Sequence, residues 1–546
     1  MPTDQDTISA RDYHQRTKHS LEAYARGPAT MDWESQPDPF RRFAGCETIA
    51  LPLTARSVGT QYAELFRPGV VPPAPLSRDN IGALLELALG LSAWKAYGPD
   101  RWALRCNPSS GNLHPTEGYL MLAGIEHVPA GVYHYLSHDH LLERRCHLDL
   151  QLDALLPAES FLIGLSSIHW REAWKYGERA FRYCQLDVGH AVAAVRYAAA
   201  TLGWRVKLLD DWSDADIAAC LGLNRDADFA NAKREAPDVM LLVQTQAFND
   251  TSILDADALA RAAQQGHWTG RANVLSDRHD YDWPLIEQAA QACEKPATNT
   301  ALQQWATLPE LLNPDHLQHQ SASQLIRQRR SAQTFDGVST LSLSAFCRML
   351  DALLPRPQAP PFDVMPWTPR LHLVFFVHRV EGIPPGLYCL PRSKEGEALM
   401  RATLSDQFRW TKPDSAPDCL PFYLLAQANC RNAAHTLSCH QAIAADSAFA
   451  VAMLAEFDAP LQQSDWIYRQ LFWEAGIVGQ SLYLEAEAAG VRGTGIGCYF
   501  DDKTHEILGL KDQRLQDLYH FTIGTPQIDN RLVSLPPYSH LASRGQ

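Results

Sequence analysis

Two stretches of the chain, residues 191–200 and 481–489, are Ala-rich with apolar positions at helical spacing, and each is followed within three residues by a glycine. A further helical piece is predicted at 283–294. Two short apolar runs, 119–123 and 371–377, read as strands because they are too brief for buried helices and are followed by turn residues. Short strands beside long Ala/Leu-rich helices predict an α+β architecture. The longest strongly apolar run, 373–377, is far too short to span a bilayer.

The pattern occurs twice. Gly124-Ile-Glu-His-Val-Pro-Ala-Gly131-Val-Tyr133 returns as Arg379-Val-Glu-Gly-Ile-Pro-Pro-Gly386-Leu-Tyr388, each time after one of the strand-like runs. Gly189, Gly203, Arg205, Leu221, Gly222 and Leu223 return as Gly476, Gly490, Arg492, Leu508, Gly509 and Leu510, every pair 287 residues apart. A gap-free register of this length predicts a tandem duplication. The expected division is a first domain over 1–250, a linker with helical pieces over 251–320, and a second domain over 321–546.

Composition narrows the partners. Lys+Arg is 48 against 62 Asp+Glu, a net charge of −14, which disfavours nucleic acid and anionic membrane. The 12 cysteines are scattered with no CxxC, so neither a disulfide framework nor a zinc site is expected, and no metal is. The first residues are polar and charged, unlike a secretory signal. A cytoplasmic protein is the expectation.

Four stretches carry candidate chemistry. Arg327-Gln-Arg-Arg-Ser-Ala-Gln333 offers three guanidinium groups and a serine hydroxyl, suited to a phosphate, although the same stretch reads as a solvated helix end. Pro108-Ser109-Ser110-Gly111-Asn112 lies in a turn-rich run whose donors and acceptors suit the polar edge of a heterocycle, or an ordinary turn before a strand. Gly493-Thr-Gly495-Ile496-Gly497 lets backbone approach a ligand closely, but it is not the Rossmann spacing. Lys175-Tyr176, among aromatics, suits proton transfer, or else starts an amphipathic helix.

Together these pieces resemble the FMN-dependent nitroreductase superfamily, and the first copy is most similar to its SagB-type dehydrogenase branch, which contains azoline dehydrogenases of thiazole/oxazole-modified peptides. The carrying residues are His14-Gln-Arg16-Thr-Lys18-His19-Ser20, Met31-Asp-Trp33, Pro39-Phe40-Arg41-Arg42, the run from Asn107 to Glu117, and Lys175-Tyr176-Gly177. The second copy resembles the superfamily more generally through Arg329-Arg330-Ser331, the glycine stretch, Leu508-Gly-Leu510 and Ile523-Gly524-Thr-Pro526. The resemblance implies two fused nitroreductase-like domains forming an intrachain pseudo-dimer, with FMN at their interface.

Each copy lacks a complementary half of the motif set. The first copy has Val206-Lys-Leu208-Leu-Asp210 where the glycine stretch belongs. The second has Val364-Met-Pro-Trp-Thr-Pro-Arg370 for the serine turn, and Gln462 and Gln463 for the Lys-Tyr pair. The resemblance therefore implies one complete site, holding one FMN per chain. Its cofactor contacts would be Arg329, Arg330, Ser331, Gln333, Gly495, Ile496, Gly497 and Arg531 from the second copy, and Pro108, Ser109, Ser110 and Asn112 from the first. Lys175 and Tyr176 would be the general base and acid. The ruined site would keep Arg16 and Lys18. The leading expectation is a dehydrogenase of a small organic or modified-peptide, azoline-like substrate. The alternatives are an NAD(P)H-dependent nitro or quinone reductase and a degenerate flavin-binding scaffold. An internal pseudo-dimer implies a monomer or a weak homo-oligomer.

Overall fold

Central strands buried at every position build two antiparallel sheets. The computed structural model describes residues 8–148, 152–246, 254–278, 281–299, 308–317 and 319–541. The first sheet runs His267–Trp268, Leu141–His147, Gly131–Leu136, Thr116–Leu122, Ser160–Ser167, Ala236–Gln244 and Arg205–Leu208, with Glu47–Ala50 also on Leu141–His147. The second runs Tyr423–Gln427, Gly386–Leu390, Leu371–Val377, Phe449–Glu456, Leu515–Gly524 and Arg492–Ile496. Six strands of the first sheet thus recur, in the same spatial order, in the second. All seven positions of Thr116–Leu122 and of Leu371–Val377 are buried.

The repeated residues do the same work in both halves. Tyr133 and Tyr388 each donate their hydroxyl to the proline carbonyl four residues back, Pro129 and Pro384, which closes the turn before the strand. Gly222 and Gly509 cap helices in the left-handed region, at φ 71° and 72°.

Two 22-residue helices, Ala180–Thr201 and Ile467–Ala488, form the centre of the molecule. Every residue of the first is buried, so it has no solvent face and packs all round. The pair crosses at the repeated glycines. A Cβ on Gly189 would lie 2.1 Å from the Trp473 carbonyl oxygen, and one on Gly476 would lie 2.2 Å from that of Leu186. Only glycine permits this approach.

The halves also exchange ion pairs and arms. Arg182 pairs with Asp501 at 2.7 Å, and Arg469 with Asp214 at 2.5 Å; both members of these pairs correspond at the repeat spacing. The N-terminal helix Ala10–Arg16 packs its Tyr13 and His14 on Tyr468 of the second half. In return, Val533–Leu535 adds to the hairpin strand Leu91–Tyr97 of the first half, where the Tyr538 hydroxyl accepts the Leu91 N–H at 2.8 Å. The architecture is α+β, an intrachain pseudo-dimer.

Within the expected linker, 254–278 gives the helix Ala256–Gln265 and an edge strand on the first sheet, and the helix Pro284–Ala292 follows. Residues 251–253, 279–280, 300–307 and 318 of that span lie outside the described residues. Among the described residues no helix is long and apolar enough to cross a membrane.

Candidate functional site

A cavity of about 720 Å³ opens where the halves meet, within the roughly 300–1,000 Å³ typical of small-molecule sites. Its wall contains Pro108, Ser109, Ser110, Asn112 and Tyr176 from the first half. From the second come Arg329, Arg330, Ser331, Gln333, Gly495, Ile496 and Gly497. Two expected residues stand outside the wall. Lys175 borders it, as described below. Arg531 is exposed and pairs with Asp529 at 2.7 Å, so the expected late phosphate contact is not lodged in the cavity.

The serine turn is held open by backbone in unusual conformations. Gly111, Asn112 and His114 all take left-handed φ, 57°, 60° and 53°. Local bonds fix them: Asn112 donates its amide to the Ala103 carbonyl at 2.9 Å, and Ser109 Oγ accepts the His114 N–H at 2.8 Å. Ser110 gives both its N–H and its hydroxyl to Asp187 Oδ1, each at 3.0 Å. The buried Asn107 Oδ1, also in the wall, has no hydrogen-bond partner and is free to receive one from a ligand.

The glycine stretch is not a loop. It is the edge strand Arg492–Ile496, paired antiparallel with Leu515–Gly524. Five residues with two glycines show no period-two apolar pattern, so the sequence carries no strand signal here. The glycines make room for rings rather than directly for a ligand. A Cβ on Gly495 would sit 1.8 Å from the Tyr519 hydroxyl, and one on Gly497 2.1 Å from the Tyr183 ring. Tyr183 and Tyr519 thereby reach the wall. The Gly495 N–H donates to the Tyr483 hydroxyl at 3.0 Å, which also meets Ser331 Oγ at 2.8 Å.

Positive charge collects at one end. Arg329 is buried, donates to the carbonyls of Arg105 and Cys106 at 3.1 and 3.2 Å, and lies 4.8 Å from the centre of the Tyr483 ring. Arg330 donates to the Ser92 carbonyl at 2.8 Å. Burial, then repulsion from Arg329, lowers Arg330 to about 10. Lys95 is lowered by burial and by Arg330 and Arg492. Arg492 has one carboxylate neighbour, Glu487, at 3.3 Å. Desolvated cations that repel one another favour an anion among them.

Another part of the wall holds the proton-transfer candidates. The helix His169–Tyr176 stops at Gly177, φ 54°, leaving Lys175 and Tyr176 in its last turn. Both reach the serine turn: a Cβ on Gly111 would be 2.6 Å from the Tyr176 hydroxyl and 3.2 Å from Lys175 Nζ. Burial, then the nearby Glu172, holds the Tyr176 phenol well above its ordinary value. Glu172 is fully buried with no partner for either oxygen, and burial, then Asp187, raises it strongly. Burial raises Asp187 to about 7 against the opposing bonds from Ser109 and Ser110.

Sequence reasoning overlooked Asp187, Tyr183, His190, Tyr483 and Tyr519. Asp187 had a signal, the one acid inside a long Ala-rich helix. The aromatic residues had none, because core and cavity-lining rings look alike in sequence.

The counterpart site is filled. Its loop buries Met365, and Glu474 accepts the N–H groups of Arg370 and Leu371 at 3.0 and 3.2 Å while pairing with Arg392. Arg196 and Asp363 join across it through two bonds of 2.8 Å. Arg16 and Lys18 are engaged with Glu178 and Asp502.

No family model matches the chain. A solved protein of Anabaena variabilis, described as a nitroreductase, superposes with TM-score 0.68 at 21% identity, covering 95% of this chain and 99% of that one. The trifolitoxin-processing protein TfxB of Rhizobium leguminosarum bv. trifolii is 30% identical over 219 residues, 36% of this chain and 55% of the relative. A protein of Methanocaldococcus jannaschii named as a nitroreductase is 27% identical over 156 residues, 27% of this chain and 75% of the relative. The chain has the fold of the Anabaena nitroreductase. It spans about half the length of TfxB, and the match to the Anabaena protein, which runs through both halves, shows the shared fold.

Proposed function

We propose that the chain is an FMN-dependent oxidoreductase holding one FMN in the composite cavity and acting as a dehydrogenase of a small organic or peptide-derived, azoline-like substrate. What carries the reading is the convergence of motifs from both halves on one cavity with a cationic part and an aromatic, proton-carrying part. The groups fit FMN: Arg329, Arg330, Lys95 and Arg492 suit its phosphate, the tyrosines its ring, and Asn107 and the serine turn its polar edge. The likeness to a trifolitoxin-processing protein supports a peptide-derived substrate. The limits 1–250, 251–320 and 321–546, and the duplication behind them, belong to the same proposal, as does a monomer resident in the cytoplasm.

Bound FMN would supply the two-electron acceptor. Lys175 Nζ is set beside the serine turn to take a proton from a substrate carbon, and the Tyr176 hydroxyl, kept protonated by its surroundings, holds the partner hydrogen bond. Glu172 and Asp187 supply a buried proton store below them.

The test is a visible spectrum with released flavin quantified. One FMN per chain is expected, and Ser110→Ala and Arg330→Ala should each lower its retention although they lie in different halves. Failure to bind added FMN overturns the reading. Lys175→Ala should retain FMN and lose oxidation of an azoline peptide; unchanged turnover would remove its assigned role. Rapid anaerobic bleaching by NADH, with no azoline oxidation, would favour the reductase alternative.

A further inference from the structure

Cys498 follows Gly497 directly and lines the cavity beside the proton-transfer candidates, close enough to raise the Tyr176 phenol. Across from it is the turn after the helix Arg431–Leu437, in which Cys439 and His440 both take left-handed φ, 51° and 57°. Two hydrogen bonds bracket the approach of the two segments. Phe500 N–H donates to the Leu437 carbonyl at 2.8 Å, and the Gln441 amide donates to the Cys498 carbonyl at 3.2 Å. Between these bonds lie Cys439 and Cys498, near enough that each perturbs the other's titration. Both cysteines are half-exposed, whereas most of the other thiols are buried.

A third group completes the cluster. His19, on the N-terminal arm, accepts the Ala25 N–H at its Nδ1 at 2.8 Å. That fixes the proton on Nε2, and Cys498 is among the groups that shift this imidazole. Arg179, which donates to the Gly497 carbonyl at 3.2 Å, adds positive charge. Cys439, then His19 and the charge of Arg179, lower the Cys498 thiol to about 5 against its burial, while Cys439 is raised. Tyr24, Tyr176 and Tyr183 also face the pair, and Asp501 pairs with Arg179 at 3.1 Å and accepts the His19 N–H at 3.0 Å. A stabilised thiolate beside a protonated thiol, in a partly open electropositive setting, is the arrangement of a nucleophilic and a resolving cysteine.

We propose that Cys498, in the cavity wall, and Cys439 beside it form a thiol–disulfide exchange site acting on small disulfides R–S–S–R. The Cys498 thiolate attacks one sulfur, the R–S–S–R bond breaks, and the departing thiolate takes a proton to leave as R–SH. Cys439 then loses its proton and attacks Cys498 Sγ, releasing the second R–SH. Two protein thiols are oxidised to one disulfide and one small disulfide is reduced to two thiols, so no further oxidant is needed. The site stands on its own geometry and does not depend on flavin in the cavity.

The test uses the purified full-length chain, reduced, freed of reductant, exposed to oxidised glutathione at neutral pH, alkylated and peptide-mapped. A Cys439–Cys498 disulfide is expected, with the exposed Cys419 as the reference thiol. Cys439→Ser should accumulate glutathione on Cys498, and Cys498→Ser should leave Cys439 unmodified. In the reduced wild type, alkylation of Cys498 should rise much less between pH 6 and 8 than the roughly tenfold per unit of an ordinary thiol, and Cys439→Ala should steepen that rise. No cross-link in the wild type, or equal glutathione uptake by either single variant, overturns the proposal. So does a Cys498 alkylation profile as steep as that of Cys419.

Discussion

Asp187 and Glu474 sit at the same position of the two central helices, and each accepts N–H groups from the loop opposite its own half's cavity. Glu474 has Arg392 beside it, whereas the bonds to Asp187 come from neutral serine groups. This one difference separates a neutralised structural cap from a proton-holding group at the cavity. The consequence is a pH-dependent stability of definite sign. Asp187 is held at about 7 in the fold against roughly 3.9 in the unfolded chain, so the native state binds the extra proton between those values. Stability from this group is full below about pH 4 and falls as pH rises toward 7, by on the order of 3–4 kcal/mol at most. Asp187→Asn keeps an acceptor for Ser110 and removes the titration. Its melting temperature should change less than that of the wild type between pH 5 and 8, and should exceed it at pH 8. Parallel melting curves for the two proteins across that range would show that Asp187 does not hold the proton.

At the level of elements, the repeat of glycines at 287 residues was legible before its purpose was. The sequence showed Gly189 and Gly476 in register; the structure shows that they are the crossing point of the two central helices. A methyl group at either position would press on a helix carbonyl, so the helices must separate. Gly189→Ala should destabilise the chain by about 1–3 kcal/mol, as overpacking of a tight core does, and should loosen the cavity built on both helices. Denaturant titration with intrinsic fluorescence would measure it, and a wild-type midpoint would mean that the crossing relaxes freely. The strands, the long helices and the serine turn were likewise readable from apolar runs and turn residues. The glycine strand was not, because its side chains are supplied by Tyr183 and Tyr519 from elsewhere in the fold. Arg531 was placed by analogy of position, and nothing in its local sequence shows that Asp529, two residues away, holds it at the surface.

On the scale of the whole molecule, the halves are interlocked rather than merely joined. The N-terminal arm lies on the second half, the C-terminal strand on the first, and Arg182–Asp501 and Arg469–Asp214 cross the boundary in opposite directions. The cavity has no complete wall in either half alone. Such a molecule should unfold in one step despite its two sheets, because neither half keeps its buried ion-pair partners or its covering arm once the other melts. Calorimetry should therefore give a single endotherm. Arg182→Met leaves Asp501 in a buried place with Arg179 as its remaining cation, at 3.1 Å. Removing one member of a buried pair costs about 3–5 kcal/mol when nothing replaces it, and Arg179 should reduce that loss. Arg469→Met strands both Asp214 and Asp238, to which the same guanidinium reaches at 3.4 Å, so it should be the more damaging of the two. Both variants should shift the one transition without splitting it. Two resolved transitions, with only one moved by each substitution, would mean that the halves are independent and that the cavity between them is held by the arms alone.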